Sequence, residues 1–468
     1  METRSASARA GQCTRAVGRF AVLSVSLFAV PAAATTTLGT VSSSSIQPPS
    51  FAATKNYRVG RNPGSVAIGD LNGDRKPDLA VANYSGPSVS VLMNRGDGSF
   101  RAARNFATGR QWQDLPVGLA IGDLTGDGKP DLAVANAVTK GGRGVILFVN
   151  KGGGTFRAER RFVTAVQPEA VAIGELNGDK KPDLVAVSHD DQAVSVLLNK
   201  GGGRFAAKVN YRTGAGPRSV AIGDLTGDHK PDLVTPNENV RTVSLLVNKG
   251  DGTFESKRDF RTGRVPSAVA IGDLNGDGKP DLAAVNNWSG TISVLTNSGG
   301  GNFEPRRDFP TARSPDAVKI ADLNGDRRPD IANIDYGRNS ISVLVNSGDG
   351  NFEPRLDYAA GGEPASLARG DLNGDGKVDL ATAHGESDDS VGVLLARPGL
   401  CTVQDVRVVT VEDAKRMLAR ANCRLGKIRR AYSNRVEKGL VLSQKPKPGT
   451  VLPKFGKVEV RVSRGRKQ

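Results

Sequence analysis

Between residues 60 and 395, short apolar runs of Val, Ile, Ala and Leu alternate with clusters of Gly, Asp, Asn and Pro. That rhythm predicts many short strands joined by tight turns. Residues 268–309 show one unit of it. The run 268–272 is apolar with small residues, suited to a crowded inner strand. An acidic loop follows at 273–281, then a second strand at 282–286 and a turn at 287–290. Residues 291–296 alternate as a half-buried strand should. A glycine hairpin at 297–301 leads to an expected outer strand from Phe303 to Phe309.

The unit recurs. Its acidic loop, of the type Asp-Leu-Asn-Gly-Asp-x-x-x-Asp, begins at Asp70, Asp123, Glu175, Asp224, Asp273, Asp322 and Asp371, at intervals of 53, 52, 49, 49, 49 and 49 residues. About 49 residues suffice for a four-stranded blade. The seventh unit stops after 391–395 without an outer strand, whereas residues 51–57 form a strand with no blade and match 205–211 in spacing. The expectation is that 51–57 complete the seventh blade and close the ring, which removes exposed sheet edges. The fold class is thus all-β, a seven-bladed β-propeller over 51–397. A small α+β domain follows at 400–466. There Thr410 and Asp413 cap a helix with Ala414, Met417, Leu418 and Ala421 on one apolar face, and strands are expected near 440–443 and 457–463.

The N-terminus reads as an export signal over residues 1–34. Arg4, Arg9, Arg15 and Arg19 precede an apolar run at 20–30 and the small residues Ala32, Ala33 and Ala34. The run is too short for a membrane span. Residues 35–50, rich in Ser, Thr and Pro, read as a leader. The expected product is secreted or held at a bacterial cell envelope, with no membrane span, and monomeric. Cys401 and Cys423 are the cysteines left after signal removal and can pair in an oxidising medium; the alternative is two reduced thiols in the core.

The net charge of +16 is unevenly placed. Residues 400–468 hold 18 Lys and Arg against five Asp and Glu, whereas residues 35–399 hold 42 of each. The basic segment has few aromatics for stacking on bases, which argues against nucleic acid. An acidic polymer of the envelope suits it better.

Carboxylates and amides at positions 1, 3, 5 and 9 of a glycine-bent loop are calcium's preferred donors. The candidate ligands are Asp70, Asn72, Asp74 and Asp78 in the first unit, and Asp123, Thr125, Asp127 and Asp131 in the second. They are Glu175, Asn177, Asp179 and Asp183 in the third, and Asp224, Thr226, Asp228 and Asp232 in the fourth. Asp273, Asn275, Asp277 and Asp281 follow in the fifth, Asp322, Asn324, Asp326 and Asp330 in the sixth, and Asp371, Asn373, Asp375 and Asp379 in the seventh. Up to seven structural Ca²⁺ ions are expected, tightest at the fifth and seventh loops and weakest at the fourth. Arg75, Lys180, His229 and Arg327 stand where glycine would ease the turn. The competing reading is a hydrophilic turn whose Asp and Asn bond their own backbone. An EF-hand is excluded, because position 12 after Asp70 is Val81 rather than Glu.

These loops and the Phe that follows each glycine hairpin, as in Gly250-Asp-Gly-Thr-Phe254, resemble the FG-GAP and VCBS repeat families, with the integrin α-subunit propeller their best-known member. The resemblance implies a seven-bladed propeller with calcium in the loop between first and second strands. Residues 400–466 resemble a PASTA domain, through Cys401, Asp413-Ala414, Leu418, Cys423, Gly426, Ser443-Gln444, Pro446, Pro448-Gly449-Thr450 and Val462-Ser463. Such modules are associated with peptidoglycan.

Alternate loops of an antiparallel blade fall on opposite faces. The acidic loops and glycine hairpins share one; the loops between second and third strands, and those leading into each blade, share the other. The second face holds insertions near 110–115 and 139–144 and the aromatics Tyr84, Trp112, Trp288 and Tyr336. They suit an extracellular protein or carbohydrate ligand. His189, His229 and His384, the chain's three histidines, read as surface loop residues without a triad context. A non-catalytic binding or adhesion module is therefore expected. A polysaccharide-acting enzyme and an inert scaffold are the alternatives.

Overall fold

The computed structural model describes residues 47–109, 114–137, 144–385, 388–397, 401–403, 405–420, 423–448, 450–452 and 456–466. Seven four-stranded antiparallel sheets, here sheets 1–7 in chain order of their first strands, are found among them. Sheet 5 runs Pro266–Gly272, Asp281–Asn286, Thr291–Leu295 and Arg307–Pro310. Sheet 7 runs Pro364–Gly370, Asp379–His384 and Ser390–Leu394, and its outer strand is Lys55–Arg58 from the other end of the chain. In that pairing Lys55 faces Val393 and Arg58 faces Ser390, and Phe51 bridges Ala396. The sheets form a β-propeller.

The strands differ by layer. The second strand of every sheet is buried at all six positions, as in Asp78–Asn83 and Asp281–Asn286. Both of its faces are covered by neighbouring sheets, so it is apolar without alternation. Outer strands such as Lys55–Arg58 and Arg307–Pro310 are mostly exposed.

The inner strands pack through one repeated contact. A methyl added at Gly69 would come within 3.1 Å of Ile121, and one at Gly122 within 3.0 Å of Ile173. Gly174 meets Ile222, Gly223 meets Ile271, Gly272 meets Ile320, and Gly370 meets Ile68 in the same way. The last contact joins sheet 7 to sheet 1. Between sheets 6 and 7 the pattern breaks, because Ala321 and Arg369 occupy the two positions. Farther out, among the described residues, seven edge-to-face aromatic pairs bridge adjacent sheets, from Phe162–Phe205 at 4.9 Å to Phe106–Phe156 at 5.6 Å. Two of them, Phe51–Tyr358 and Tyr57–Phe100, come from the N-terminal segment.

Some sequence expectations are corrected. The outer strand of sheet 5 is Arg307–Pro310, and Phe303 belongs to a separate hairpin, Asn297–Gly299 with Asn302–Phe303. Pro305, which lacks an N–H for the ladder, separates the two. In the C-terminal domain the helix, α1, spans Val411–Arg420. Thr410 Oγ1 accepts the Asp413 N–H at 3.1 Å and caps it. Val441–Lys445 and Lys457–Ser463 are the expected strands. The sequence reading missed Arg424–Ala431, which pairs parallel to Lys457–Ser463. Its run of basic, largely exposed residues carries no apolar period. Ala414, Leu418, Cys423, Val441, Val458 and Val460 build the core. The Cys401 side chain and Ala421 lie outside the description, as do the signal segment and most of the leader. No helix among the described residues is long and apolar enough to cross a membrane.

Candidate functional site

The acidic loops bend because glycine at position 4 takes a left-handed conformation, as at Gly73 (φ 84°) and Gly276 (φ 83°). Position 6 is left-handed too, and Arg75, Lys180, His229 and Arg327 adopt φ of 64–69° there. Non-glycine residues do so at a cost.

The carboxylates organise the turn. In the fifth loop Asp273 accepts the N–H groups of Gly276 (2.7 Å) and Gly278 (2.9 Å), Asn275 that of Asp277 (2.9 Å), and Asp277 that of Lys279 (2.9 Å). The first loop repeats this, with Asp70 accepting from Gly73 and Arg75, both at 2.8 Å. At position 9 each Asp is inaccessible to solvent or nearly so. One oxygen of Asp281 accepts the Leu274 N–H (2.9 Å) and the other the Asn297 N–H (2.7 Å). Burial pushes these carboxyls up, to about 6 at Asp78, Asp183 and Asp379 and to about 7 at Asp330.

Two features escaped the sequence reading. Position 7 is always basic, and it pairs with the position 5 carboxylate: Lys129–Asp127 at 3.0 Å, Lys181–Asp179 at 2.9 Å, Arg328–Asp326 at 2.7 Å and Lys377–Asp375 at 3.0 Å. The Lys129 and Lys181 side chains hold Asp127 and Asp179 below the usual carboxylate range. Second, the Asn that bonds position 9 also reaches the preceding acidic loop. Asn94 Nδ2 donates to the Leu372 carbonyl (2.8 Å), Asn150 to Leu71 (2.9 Å), Asn199 to Leu124 (3.0 Å) and Asn248 to Leu176 (2.9 Å). Asn297 and Asn346 do the same to Leu225 and Leu274. In sheet 7 the residue is Ala396, whose backbone N–H still bonds Asp379 (2.6 Å) but which has no side-chain amide to donate. The acidic loops are therefore stitched into sheet-to-sheet junctions, with the exception of the junction between sheets 6 and 7.

Their fit to calcium is good in chemistry and incomplete in placement. The donors are hard oxygens, and a carboxylate oxygen that accepts one N–H keeps a second lone pair. Yet among the described residues no three carboxylates, imidazoles or thiols gather as a metal cage requires. Thr125 Oγ1, at position 3, is buried without a partner. Thr226 Oγ1 donates to Asp228 at 3.0 Å.

On the opposite face, Tyr84 and Tyr336 are partly exposed and Trp288 is 69% exposed. Trp112 and most of both insertions lie outside the described residues. Trp288 borders a cleft of about 430 Å³ with Arg313 and Ser314, and the Arg264 guanidinium stacks 4.5 Å from its ring centroid. The central mouth is a second cleft, of about 500 Å³, lined by residues of all seven sheets including Tyr84, Glu169, Arg218 and Asp316. Burial pushes the Asp316 and Glu169 carboxyls up, and the Arg218 charge opposes this at both. Arg218 lies 3.5 Å from both Glu169 and Glu238. Lys319 is solvent-exposed yet closely surrounded, and that crowding, with Arg369 nearby, pushes its amine down.

His384 corrects the view of the histidines as surface residues. It is fully buried, with Nε2 2.8 Å from Thr382 Oγ1 and Nδ1 3.0 Å from Ser390 Oγ. Burial lowers its pKa. Beyond the histidines, Asp389 accepts the Asn62 N–H (2.8 Å) and Asp191 the Val166 N–H (2.6 Å).

The FG-GAP-like repeat family matches residues 70–134, 123–186, 175–235, 236–284, 273–333 and 322–382, and the PASTA domain family matches 402–464. No curated protein matches the chain. Among solved structures it is similar to virginiamycin B lyase from Staphylococcus aureus, at 13% identity over 74% of this chain and 99% of that one, with a TM-score of 0.51. Hydrazine synthase of Kuenenia stuttgartiensis gives 16%, 72%, 96% and 0.50 on the same measures. An Agrocybe aegerita lectin that recognises non-reducing terminal N-acetylglucosamine gives 23%, 65%, 80% and 0.48. At such identities the likeness speaks to fold alone. The six matches fall on the sheets and their acidic loops, and the chain belongs to the FG-GAP-like repeat family, with a PASTA domain after the propeller.

Proposed function

We propose that the protein is an exported, non-catalytic binding module whose ligand is a carbohydrate held on the face opposite the acidic loops. The observation that carries this reading is Trp288, an exposed indole beside a cleft on that face. The acidic loops take calcium as a structural ion: positions 1, 3, 5 and 9 supply oxygens, and the ion offsets the repulsion of three carboxylates. The PASTA domain contacts peptidoglycan or another acidic envelope polymer through a cleft of about 290 Å³ lined by Arg429, Lys445 and Arg461. Cys401 and Cys423 pair as a disulfide in the exported chain, and intact protein should resist alkylation at both until reduced.

The Ser390–His384–Asp388 group does not support an enzyme. Ser390 Oγ (3.0 Å) and Asp388 Oδ2 (3.5 Å) both meet the same ring nitrogen, Nδ1, and the ring is buried. A relay needs the carboxylate and the nucleophile on different nitrogens of an accessible ring.

Co-sedimentation of the full chain with purified cell wall tests the proposal. Trp288→Ala should lose the carbohydrate component of binding, and Arg429→Glu with Lys445→Glu the peptidoglycan component. Unchanged sedimentation of both variants would reject both sites.

A further inference from the structure

The face opposite the acidic loops is electrically uneven, although residues 35–399 carry 42 basic and 42 acidic side chains. On sheets 4–6 it presents Arg241, Arg264, Arg313 and Arg338 from four of five successive loops, all exposed, with Trp288 on the middle one. None of the four forms an ion pair among the described residues. Two acids of the same sheets, Glu238 and Asp316, face Arg218 instead. The corresponding loops of sheets 3 and 7 carry Asp190, Asp191, Glu363, Asp388 and Asp389.

Hydrogen bonds fix the order of the arginines. Thr262 N donates to the Arg241 carbonyl (2.9 Å) and Arg264 N to Ser289 Oγ beside Trp288 (2.8 Å). Thr311 N donates to the Gly290 carbonyl (2.9 Å) and Tyr336 N to that of Ser314 (3.2 Å). The five loops thus form one arc, with Trp288 flanked by Arg264 on one side and Arg313 on the other. A guanidinium stacked on an indole still presents its N–H edge, and that edge matches a carboxylate in two parallel bonds.

We infer that this arc binds an acidic polysaccharide, with a sugar ring on Trp288 and uronate carboxylates taken by Arg264 and Arg313. The inference rests on the carbohydrate reading of this face and names its chemical class. Neutral glycans would use the indole and leave the arginines in water. An extended polyanion also meets Arg241 and Arg338, which accounts for four exposed arginines that form no ion pair among the described residues.

Titration calorimetry of the full chain with oligogalacturonate, and with its methyl ester as the uncharged control, tests this. The acid form should bind about tenfold or more tighter than the ester, and Arg264→Gln and Arg313→Gln should each weaken it by about tenfold or more. Affinity should fall with added salt. Binding that survives both substitutions would assign the polyanion to the basic PASTA domain and overturn the inference. Equal binding of acid and ester, each abolished by Trp288→Ala, would overturn it while leaving the carbohydrate reading intact. If neither form binds, the inference fails, and co-sedimentation with cell wall still judges the broader reading separately.

Discussion

Deleting residues 47–58 is expected to cost the propeller most of its stability and to make it self-associate. The segment supplies the outer strand of sheet 7, paired from Lys55–Val393 to Arg58–Ser390. It supplies one ring each of Phe51–Tyr358 and Tyr57–Phe100, and Pro49 accepts the Tyr358 hydroxyl at 2.6 Å. It also fastens the end of the ring, since Asn56 Nδ2 donates to Asp388 (3.3 Å), Ala52 N to the Leu395 carbonyl (2.8 Å), and Ser50 O accepts the Arg397 N–H (2.7 Å). Each aromatic pair contributes about 0.5–1.5 kcal/mol beyond its buried area. Burying each ring adds about 1.5–3 kcal/mol. The loss is comparable with a typical total stability of about 5–15 kcal/mol. It also exposes Ser390–Leu394 as a bare apolar edge, which invites pairing with another chain. The junction between sheets 6 and 7 is the worst place for such a loss, because it lacks both the Gly–Ile contact and the Asn clasp. Denaturant unfolding followed by circular dichroism, with light scattering, reads the effect. A peptide of residues 47–58 added in trans should restore part of it. A deletion that unfolds at the same midpoint as the intact chain would refute this account of ring closure.

The sequence was legible where the physics is local and repeated. Seven acidic loops, alternating third strands and an orphan N-terminal strand gave the sheets, their order and the closing pair. The Asn clasp was within reach: Asn94, Asn199, Asn248, Asn297 and Asn346 stand at a fixed offset from position 9, but they read simply as the first residue of a glycine hairpin. The basic position 7 is equally regular, but a Lys or Arg in a hydrophilic turn does not by itself announce an ion pair two residues back. Other features could not be read from the string. His384 replaces the Asn found at the same place in sheets 1, 2, 4 and 5, and it is buried because Gly361 and Gly392 leave it room. The four arginines of the basic arc are spread over residues 241–338 and become neighbours only when the sheets stand side by side. The strand Arg424–Ala431 is specified by its parallel partner rather than by its own pattern.

Calcium should raise the stability of the protein substantially, and more at pH 7.5 than at pH 5. At about 2 mM calcium and a dissociation constant of about 10⁻⁴ M, within the range of extracellular sites, each independent occupied loop adds about 1.8 kcal/mol by mass action. Several loops together would rival the intrinsic stability of the fold. The pH dependence follows from position 9. Burial raises Asp78, Asp183 and Asp379 to about 6 and Asp330 to about 7. A carboxyl raised on folding stabilises the native state below its unfolded value, about 3.9, and that stability is lost as pH climbs through the folded value. The ion-free protein should therefore weaken between about pH 4 and pH 7, and calcium should remove the loss by compensating the ionised carboxylates. The opposing candidate is already in place, since the position 7 Lys or Arg partly neutralises each loop. An exposed pair of that kind contributes only about 0.2–1 kcal/mol, so a divalent ion should displace it. Lys279→Gln should accordingly tighten calcium at the fifth loop. Thermal unfolding in calcium and in chelator, at both pH values, decides between the two. If the midpoints coincide at pH 7.5, the basic residue at position 7 is the loops' permanent counter-charge and the seven turns are closed without an ion.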